Sequence, residues 1–233
     1  MGFFDFFKFS SSRFASTAVS EKGPNRADNQ DHFYADDERG IYCVADGLGG
    51  ASDGAKASEI VCSNLKVMSP GAGDDLMERV SSVFASFQES NSLIREYSAE
   101  KGYGNMGSTV AALVFDPKNK YRAATIWAGD SRVYRIRGGR AEMFTHDHRF
   151  GFSNSLTRAI GVNDELKCDM KELSLKKGDR LLLCTDGVSG VVTDRIMAAI
   201  ITDSSITKAA ELLTKRILKL GAPDNFTFII VEI

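Results

Sequence analysis

Apolar residues along the chain follow two spacings, one typical of strands and one typical of helices. Short runs rich in β-branched and aromatic residues predict strands at about 14–20, 32–35, 41–45, 109–115, 122–128, 132–137, 180–184 and 226–233. Helical spacing predicts helices at about 55–68, 74–99, 194–201 and 207–220. Turn residues at 117–119 and 138–139 favour hairpins, and therefore antiparallel pairing. The pattern predicts an α+β fold in which helices cover antiparallel sheets.

The composition is that of an ordinary globular chain of 233 residues, with 43% hydrophobic and 26% charged residues. Its 29 basic and 31 acidic side chains leave a formal net charge of −2, which argues against binding of nucleic acid by a strongly basic surface. The chain has no apolar stretch of roughly 18 residues without charges, so no transmembrane segment is predicted. Four cysteines without a C-x-x-C pair are typical of a reducing compartment, and we expect a cytoplasmic protein.

The N-terminal segment 1–13 is rich in phenylalanine, at positions 3, 4, 6, 7 and 9. Asp5 and Lys8 interrupt its apolar run, so a signal peptide is not predicted. We expect a short apolar segment docked on its own domain; an anchor for a partner or a membrane and simple disorder are the alternatives. Residues 14–233 are predicted to form a single domain.

Acidic residues stand at the ends of several predicted strands. Three apolar runs stop at Asp46, Asp130 and Asp186, and Asp224 precedes the last run. One Asp-Gly after a strand is ordinary turn chemistry. Four such ends predict that carboxylates meet at one edge, where they repel one another unless a cation binds. Oxygen ligands favour Mg²⁺ or Mn²⁺, and few thiolates or imidazoles lie nearby to favour Zn²⁺.

Other metal and phosphate motifs fit less well. The glycine-rich run 47–50 lacks the Lys-Ser/Thr pair of a P-loop. The run 28–31 lacks the glycine and the terminal glutamate of an EF-hand. His146 and His148 are predicted to point to opposite sides of an extended chain, and we interpret them as a surface or structural feature rather than a pair of ligands.

Seven short motifs occur in a fixed order: RADNQD (26–31), VADGLGG (44–50), GST (107–109), AGDSR (128–132), LTRAIG (156–161), TDGV (185–188) and DNFT (224–227). In this order they resemble bacterial-type members of the metal-dependent protein serine/threonine phosphatases, the type 2C family, from about residue 14 to the C-terminus. The resemblance implies a four-layer α-β-β-α sandwich, with two central antiparallel sheets flanked by helices. It also implies a binuclear Mn²⁺ or Mg²⁺ centre at one end of the sandwich.

The resemblance implies a role for each acidic motif residue. Asp46 would bridge two metal ions, and the carbonyl of Gly47 would bind one of them. Asp186 and Asp224 would hold the second ion. Asp31 would orient metal-bound water from the outer coordination shell.

The resemblance also implies a substrate and a reaction. Arg26 would clamp the substrate phosphate, and Asp130 with Asp186 would form a weaker third metal site. The reaction would be hydrolysis of phosphoserine and phosphothreonine on proteins, by in-line attack of a hydroxide that bridges the two metal ions. The partner would be a phosphorylated protein, the substrate of a serine/threonine kinase, and we expect a monomeric enzyme.

Three departures from the family pattern keep a second function open. Gln30 stands where many relatives have Glu, which predicts weaker metal affinity. Leu48 replaces a histidine that animal relatives use as a candidate general acid. The segment 146–155 is too short for the usual helical flap. The alternative is therefore a non-catalytic member that binds phosphoproteins or senses metal, although every expected metal-binding aspartate is present.

Overall fold

The computed structural model of the chain describes residues 13–48, 53–104, 106–151 and 155–233. The strands in these ranges are β1 (Ala15–Glu21), β2 (Asp31–Asp36), β3 (Ile41–Leu48), β4 (Gly107–Ser108), β5 (Val110–Phe115), β6 (Arg122–Ala128), β7 (Arg132–Arg137), β8 (Arg140–Met143), β9 (Asp169–Ser174), β10 (Arg180–Cys184) and β11 (Phe226–Glu232). The helices are α1 (Asp53–Met68), α2 (Leu76–Lys101), α3 (Asp186–Ser189), α4 (Asp194–Thr202) and α5 (Ile206–Lys219). Residues 1–12, nearly all of the predicted N-terminal segment, lie outside the described residues.

The strands form two antiparallel sheets. One has the strand order β1-β11-β10-β7-β8, and the other has the order β2-β3-β5-β6-β9, with β4 paired to β3. The last strand of the chain lies between β1 and β10, so that Ile229 is opposite Ala18 on one side and opposite Leu183 on the other. This pairing joins the two ends of the domain and brings distant parts of the sequence to the same edge.

Side chains of the central strands are buried on both faces. In β3, Tyr42 and Val44 pack between the two sheets, whereas Ile41, Cys43 and Ala45 pack in the core shared with α1 and α2. Strand β10 alternates in the same way between the inner core and the core formed with α3, α4 and α5. Burial on both faces explains why these strands are continuous apolar runs. The predicted sandwich of two antiparallel sheets flanked by helices is confirmed.

Helix bounds follow from local capping. The carboxylate of Asp75 accepts hydrogen bonds from the backbone N–H groups of Met77 and Glu78 at 2.8 and 3.0 Å. Asp75 therefore caps α2, which begins at Leu76, two residues later than its apolar spacing predicts. Gly102 ends this helix in the left-handed conformation, with a φ of 70°. Within the described ranges, no helix combines the length and the apolar character needed to cross a membrane.

Three strands were not predicted from the apolar pattern: the two-residue strand β4 and the longer strands β8 and β9. Strands β8 and β9 both lie at sheet edges. In β9 only Leu173 is buried, and the other residues are exposed or half-buried. An edge strand needs few apolar residues, so its sequence lacks the alternation that marks a strand.

Candidate metal centre

Strand pairing brings the predicted acidic residues to one edge of the sandwich. Asp31, the first residue of β2, lies opposite Asp46 near the end of β3. At the end of β10, Cys184 lies opposite Phe228, near the start of β11. Asp186 follows β10 and Asp224 precedes β11, so this pairing sets both at the same end of the five-stranded sheet.

Asp46 is the centre of this cluster. Enclosure of its side chain raises its pKa well above the usual range, and the negative charges of Asp31, Asp186, Asp130 and Asp224 raise the pKa further. These four neighbours are the other carboxylates singled out in the sequence. The structure therefore brings the five together, in an arrangement that is unfavourable unless protons or cations neutralise part of the charge.

The pKa values of Asp31 and Asp186 are also raised. Burial raises the pKa of Asp31 to about 7, although its Oδ2 accepts a hydrogen bond from the Thr185 hydroxyl at 2.8 Å. Burial and the charge of Asp130 raise the pKa of Asp186 to about 6. The second oxygen of Asp31, Oδ1, is buried and has no hydrogen-bond partner among the residues that the structure describes. Neighbouring carboxylates, one of them with an unpartnered oxygen, suit a hard divalent cation. Among the described residues no three of these carboxylates bring their oxygens within 4.8 Å of one another, so a bound ion would draw them closer together.

The backbone beside Asp46 is tightly packed. Gly47 donates its N–H to the carbonyl of Gln30 at 3.0 Å. A Cβ on Gly47 would stand 2.0 Å from the carbonyl oxygen of Gly54 in α1, and a Cβ on Gly54 would stand 2.7 Å from the carbonyl oxygen of Gly47. Because both contacts are with backbone atoms, neither residue can carry a side chain without separating β3 from α1.

Arg26 lies at the rim of the cluster. Its Nη2 donates to Oδ2 of Asp224 at 2.6 Å, and the two side chains are 49% and 36% exposed. A guanidinium carries five N–H donors in a planar fork, so binding one carboxylate oxygen leaves it able to contact a phosphate.

The side chain of Asn225 anchors the loop that carries Arg26, a role that sequence reasoning did not assign. Its Nδ2 donates to the backbone carbonyls of Lys22 and Asp28 at 2.8 and 2.9 Å. Its Oδ1 accepts the N–H of Gln30 at 2.9 Å. One amide therefore fixes the 22–30 loop against the start of β11, next to Asp224.

Arg149 is a second residue of the site that sequence reasoning missed. Its guanidinium donates to Asp130 from Nε at 2.8 Å and to Asp186 from Nη2 at 3.3 Å. No motif identifies this residue, because its partners lie 19 and 37 positions away in the chain.

The prediction that His146 and His148 point to opposite sides is wrong. Their ring centroids are 5.0 Å apart, and both Nε2 atoms approach Oδ2 of Asp169, at 3.0 and 3.3 Å. Contacts with Trp127 orient both residues. The indole N–H of Trp127 donates to the carbonyl of His146, and its ring stacks on the ring of His148.

These two histidines and Asp169 are close enough to suggest a second metal site. Two contacts argue against one. The N–H of Gly129 donates to Nδ1 of His148 at 3.1 Å, so the neutral ring carries its proton on Nε2, the atom that would have to bind the metal. Arg158 also places a positive charge 2.5 Å from Asp169. Both contacts favour the structural interpretation of the cluster.

Comparisons with known proteins agree with this geometry. The family model described as "Protein phosphatase 2C" matches residues 22–220. The chain is 28% identical to the protein phosphatase PhpP of Streptococcus pneumoniae, over 93% of this chain and 95% of that protein. It is also 28% identical to the serine/threonine protein phosphatase PstP of Mycobacterium tuberculosis, over 93% of this chain but only 44% of PstP, so the chain spans less than half the length of that relative.

Solved structures give the same result. PppA, described as a key regulatory component of T6SS in Pseudomonas aeruginosa, superposes with a TM-score of 0.88 at 30% identity, covering 95% of this chain and 98% of PppA. The catalytic domain of PstP in complex with two manganese ions superposes with a TM-score of 0.82 at 27% identity, covering 94% of this chain and 97% of that one.

The chain belongs to the protein phosphatase 2C family. The predicted family and fold class are thereby confirmed, and the named phosphatases among its relatives support the predicted enzyme class, protein serine/threonine phosphatase. Of the two predicted functions, the similarity to named phosphatases favours the enzyme over the non-catalytic member.

Proposed function

We propose that this chain hydrolyses phosphoserine and phosphothreonine on proteins in a reaction that depends on divalent metal ions. The observation that carries the proposal is the convergence of Asp31, Asp130, Asp186 and Asp224 on the enclosed carboxyl of Asp46. A cluster of this kind is unfavourable in the absence of cations, and its donor atoms are all oxygens.

We assign a role to each residue of the cluster. Asp46 and the carbonyl of Gly47 would bind one metal ion, and Asp46, Asp186 and Asp224 would bind a second. Asp31 would act from the outer shell, since the hydroxyl of Thr185 already fixes one of its oxygens and leaves Oδ1 for water. When bound, the metal ions supply an activated water and neutralise charge on the phosphoryl oxygens.

Arg26 would bind the substrate phosphate. Its ion pair with Asp224 keeps the guanidinium beside the cluster, and the loop that carries it is anchored by Asn225. A planar cation in this position can hold two phosphate oxygens and stabilise the charge on them as the ester bond breaks.

We infer two Mn²⁺ or Mg²⁺ ions per chain, with a weaker third at Asp130 and Asp186. We infer also a single catalytic domain over residues 14–233, which the packing of Phe14 on Phe115 supports. The protein would act as a cytoplasmic monomer on substrates of a serine/threonine kinase, without binding nucleic acid.

The test is hydrolysis of p-nitrophenyl phosphate and of a phosphothreonine peptide by the full chain, with and without added Mn²⁺. Asp46→Asn is expected to lower turnover by at least about a thousandfold, since it removes the carboxylate common to both proposed ions. The matched control is Asp203→Asn, the same chemical change at an exposed position after α4, which should leave turnover unchanged.

Metal binding is measured on the same samples by calorimetry. A wild-type chain that binds Mn²⁺ tightly and hydrolyses neither substrate would refute the enzyme and support the non-catalytic alternative. Hydrolysis of the small ester alone would refute a protein substrate.

A further inference from the structure

Arg149 connects the two carboxylates proposed to hold the third metal ion. Its Nη2 lies 2.6 Å from Oδ2 of Asp130 and 3.3 Å from Oδ2 of Asp186. The side chain of Asp130 is only 7% exposed and that of Arg149 is 27% exposed. The guanidinium therefore bridges a buried carboxylate, Asp130, and a partly exposed one, Asp186.

The backbone that carries Arg149 is firmly held. Arg149 pairs with Leu156 in a short antiparallel bridge, which the hydrogen bond from the N–H of Thr157 to the carbonyl of His148 extends. The N–H of His148 donates to the carbonyl of Gly129 at 3.0 Å, and the N–H of Gly129 donates back to the ring of His148 at 3.1 Å. These bonds fasten the segment to the end of β6, one residue before Asp130.

A third carboxylate, that of Asp147, lies beside the Arg149 side chain. Asp147 lies 3.9 Å from Nε of Arg149 and is itself held by both Nε and Nη2 of Arg132, at 2.8 and 2.7 Å. The backbone of Arg149 is held by the bridge to Leu156, and acidic groups surround its side chain. Arg149 therefore loses little conformational entropy when it binds the Asp130–Asp186 pair.

Arg149 competes with a divalent ion for the Asp130–Asp186 pair. Its guanidinium contacts Oδ2 of Asp130 and Oδ2 of Asp186, so a metal ion that binds through these two oxygens meets a positive charge already in place. A cation entering this position has to displace Arg149, and the repulsion between the two positive charges opposes its entry.

We propose that Arg149 is a built-in cation that takes the place of the third metal ion, so that the chain works with two tightly bound ions. This inference rests on the proposed metal centre and adds to it a residue that limits the number of ions bound. Arg149 contacts one proposed ligand of the second ion, Asp186, at 3.3 Å, a longer distance than the 2.6 Å to Asp130, so its effect is expected to be largest at the third site.

The experiment counts bound Mn²⁺ on the full chain by calorimetry and by the electron paramagnetic resonance signal of unbound Mn²⁺. Wild type is expected to bind two ions tightly and a third weakly. Arg149→Gln should tighten the third site at least tenfold. The tight site that shares Asp186 should tighten less than the third site, and the site formed by Asp46 and the carbonyl of Gly47 should change less than about threefold. Arg149→Lys keeps the charge and should leave the third site within about threefold of wild type.

Two controls make the result specific. Arg122→Gln removes the same charge on the outer surface, where Arg122 pairs with Glu172, and should not change the third site. Asp130→Asn combined with Arg149→Gln should abolish the gain. Circular dichroism and the melting temperature verify folding of every variant.

Suppose that Arg149→Gln keeps both tight sites and binds the third ion with an affinity within twofold of wild type. This result would overturn the proposed role of Arg149 but not the proposed metal centre. If instead Asp46→Asn still bound two Mn²⁺ ions tightly, the proposed metal centre itself would be wrong, whatever Arg149 does. The two failures are therefore distinguishable.

Discussion

Gly187 lies against Asn225 so closely that a Cβ on Gly187 would stand 1.8 Å from the backbone carbonyl oxygen of Asn225. The two residues directly follow Asp186 and Asp224, so this contact sets the separation of two proposed metal ligands. The neighbouring atom is backbone and cannot rotate away. The close approach therefore requires glycine.

Substitution of Gly187 by alanine should damage both metal binding and stability. We expect Gly187→Ala to weaken Mn²⁺ binding at least tenfold and to lower the free energy of unfolding by about 1–3 kcal/mol, as overpacking does elsewhere. Calorimetry and urea unfolding measure the two effects. Gly71→Ala is the matched control, since a Cβ on Gly71 would meet nothing within 4 Å. Unchanged Mn²⁺ affinity in Gly187→Ala would show that the contact does not position the ligands.

Removal of one carboxylate from the cluster should stabilise the metal-free protein. The pKa of Asp31 is raised from 3.8 to about 7, so above pH 7 the native state keeps a buried ionised carboxylate that the unfolded state exposes to water. This ionised carboxylate lowers the free energy of unfolding by at most roughly 4 kcal/mol. The loss is largest above pH 7 and becomes smaller as the pH falls toward 3.8.

The measurement is the melting temperature of Asp31→Asn and wild type after treatment with a chelator. At pH 8 the variant should melt several degrees higher than wild type, and at pH 5 the difference should be smaller. Added Mn²⁺ should raise the melting temperature of wild type more than that of the variant. A variant that melts lower than metal-free wild type at pH 8 would contradict the electrostatic argument.

Arg26 should affect substrate binding rather than metal binding. We expect Arg26→Gln to raise the KM for a phosphothreonine peptide at least tenfold, because the planar donor fork for the phosphate is lost. Mn²⁺ affinity should stay the same or improve slightly, since a positive charge beside Asp224 is removed. The control is Lys22→Gln, an exposed residue of the same loop. A large loss of Mn²⁺ affinity would show that Arg26 supports the metal ligands instead.

The ion pair between Arg137 and Asp179 should stabilise the fold in a pH-dependent way. Burial alone would raise the pKa of Asp179, but the Arg137 guanidinium at 2.5 and 2.6 Å and the N–H of Lys176 at 2.8 Å outweigh burial and lower the pKa. A lowered pKa means that the contribution is complete above the unfolded pKa, near 3.9, and is lost as the pH falls through the native pKa.

We expect Asp179→Asn to lower the free energy of unfolding by about 2–4 kcal/mol at pH 7, a little below the loss seen when fully buried pairs are broken, since Arg137 is partly exposed. Urea unfolding should give the same difference at pH 5 and a smaller one at pH 3.5. A difference that does not shrink at low pH would mean that packing, rather than charge, accounts for the loss. Asp203→Asn again serves as the control.

Local patterns were sufficient to predict most of the elements and the acidic residues. Strands buried on both faces are continuous apolar runs, and the runs ending at Asp46 and Asp186 were recognised for that reason. The edge strand β9 was missed because it needs no such run. The positions of His146 and His148 were mispredicted because contacts with Trp127, rather than the local chain, orient them.

The sequence by itself determined the family, the layered fold and a set of aspartates at strand ends, because short local patterns of residues are enough to identify each of them. Only the tertiary structure decided which carboxylates share an edge, since that depends on β11 pairing between β1 and β10 across most of the chain. It alone revealed Arg149 between Asp130 and Asp186 and the close contact of Gly187 with Asn225. These contacts join residues far apart in sequence, and no local pattern specifies the distance between them.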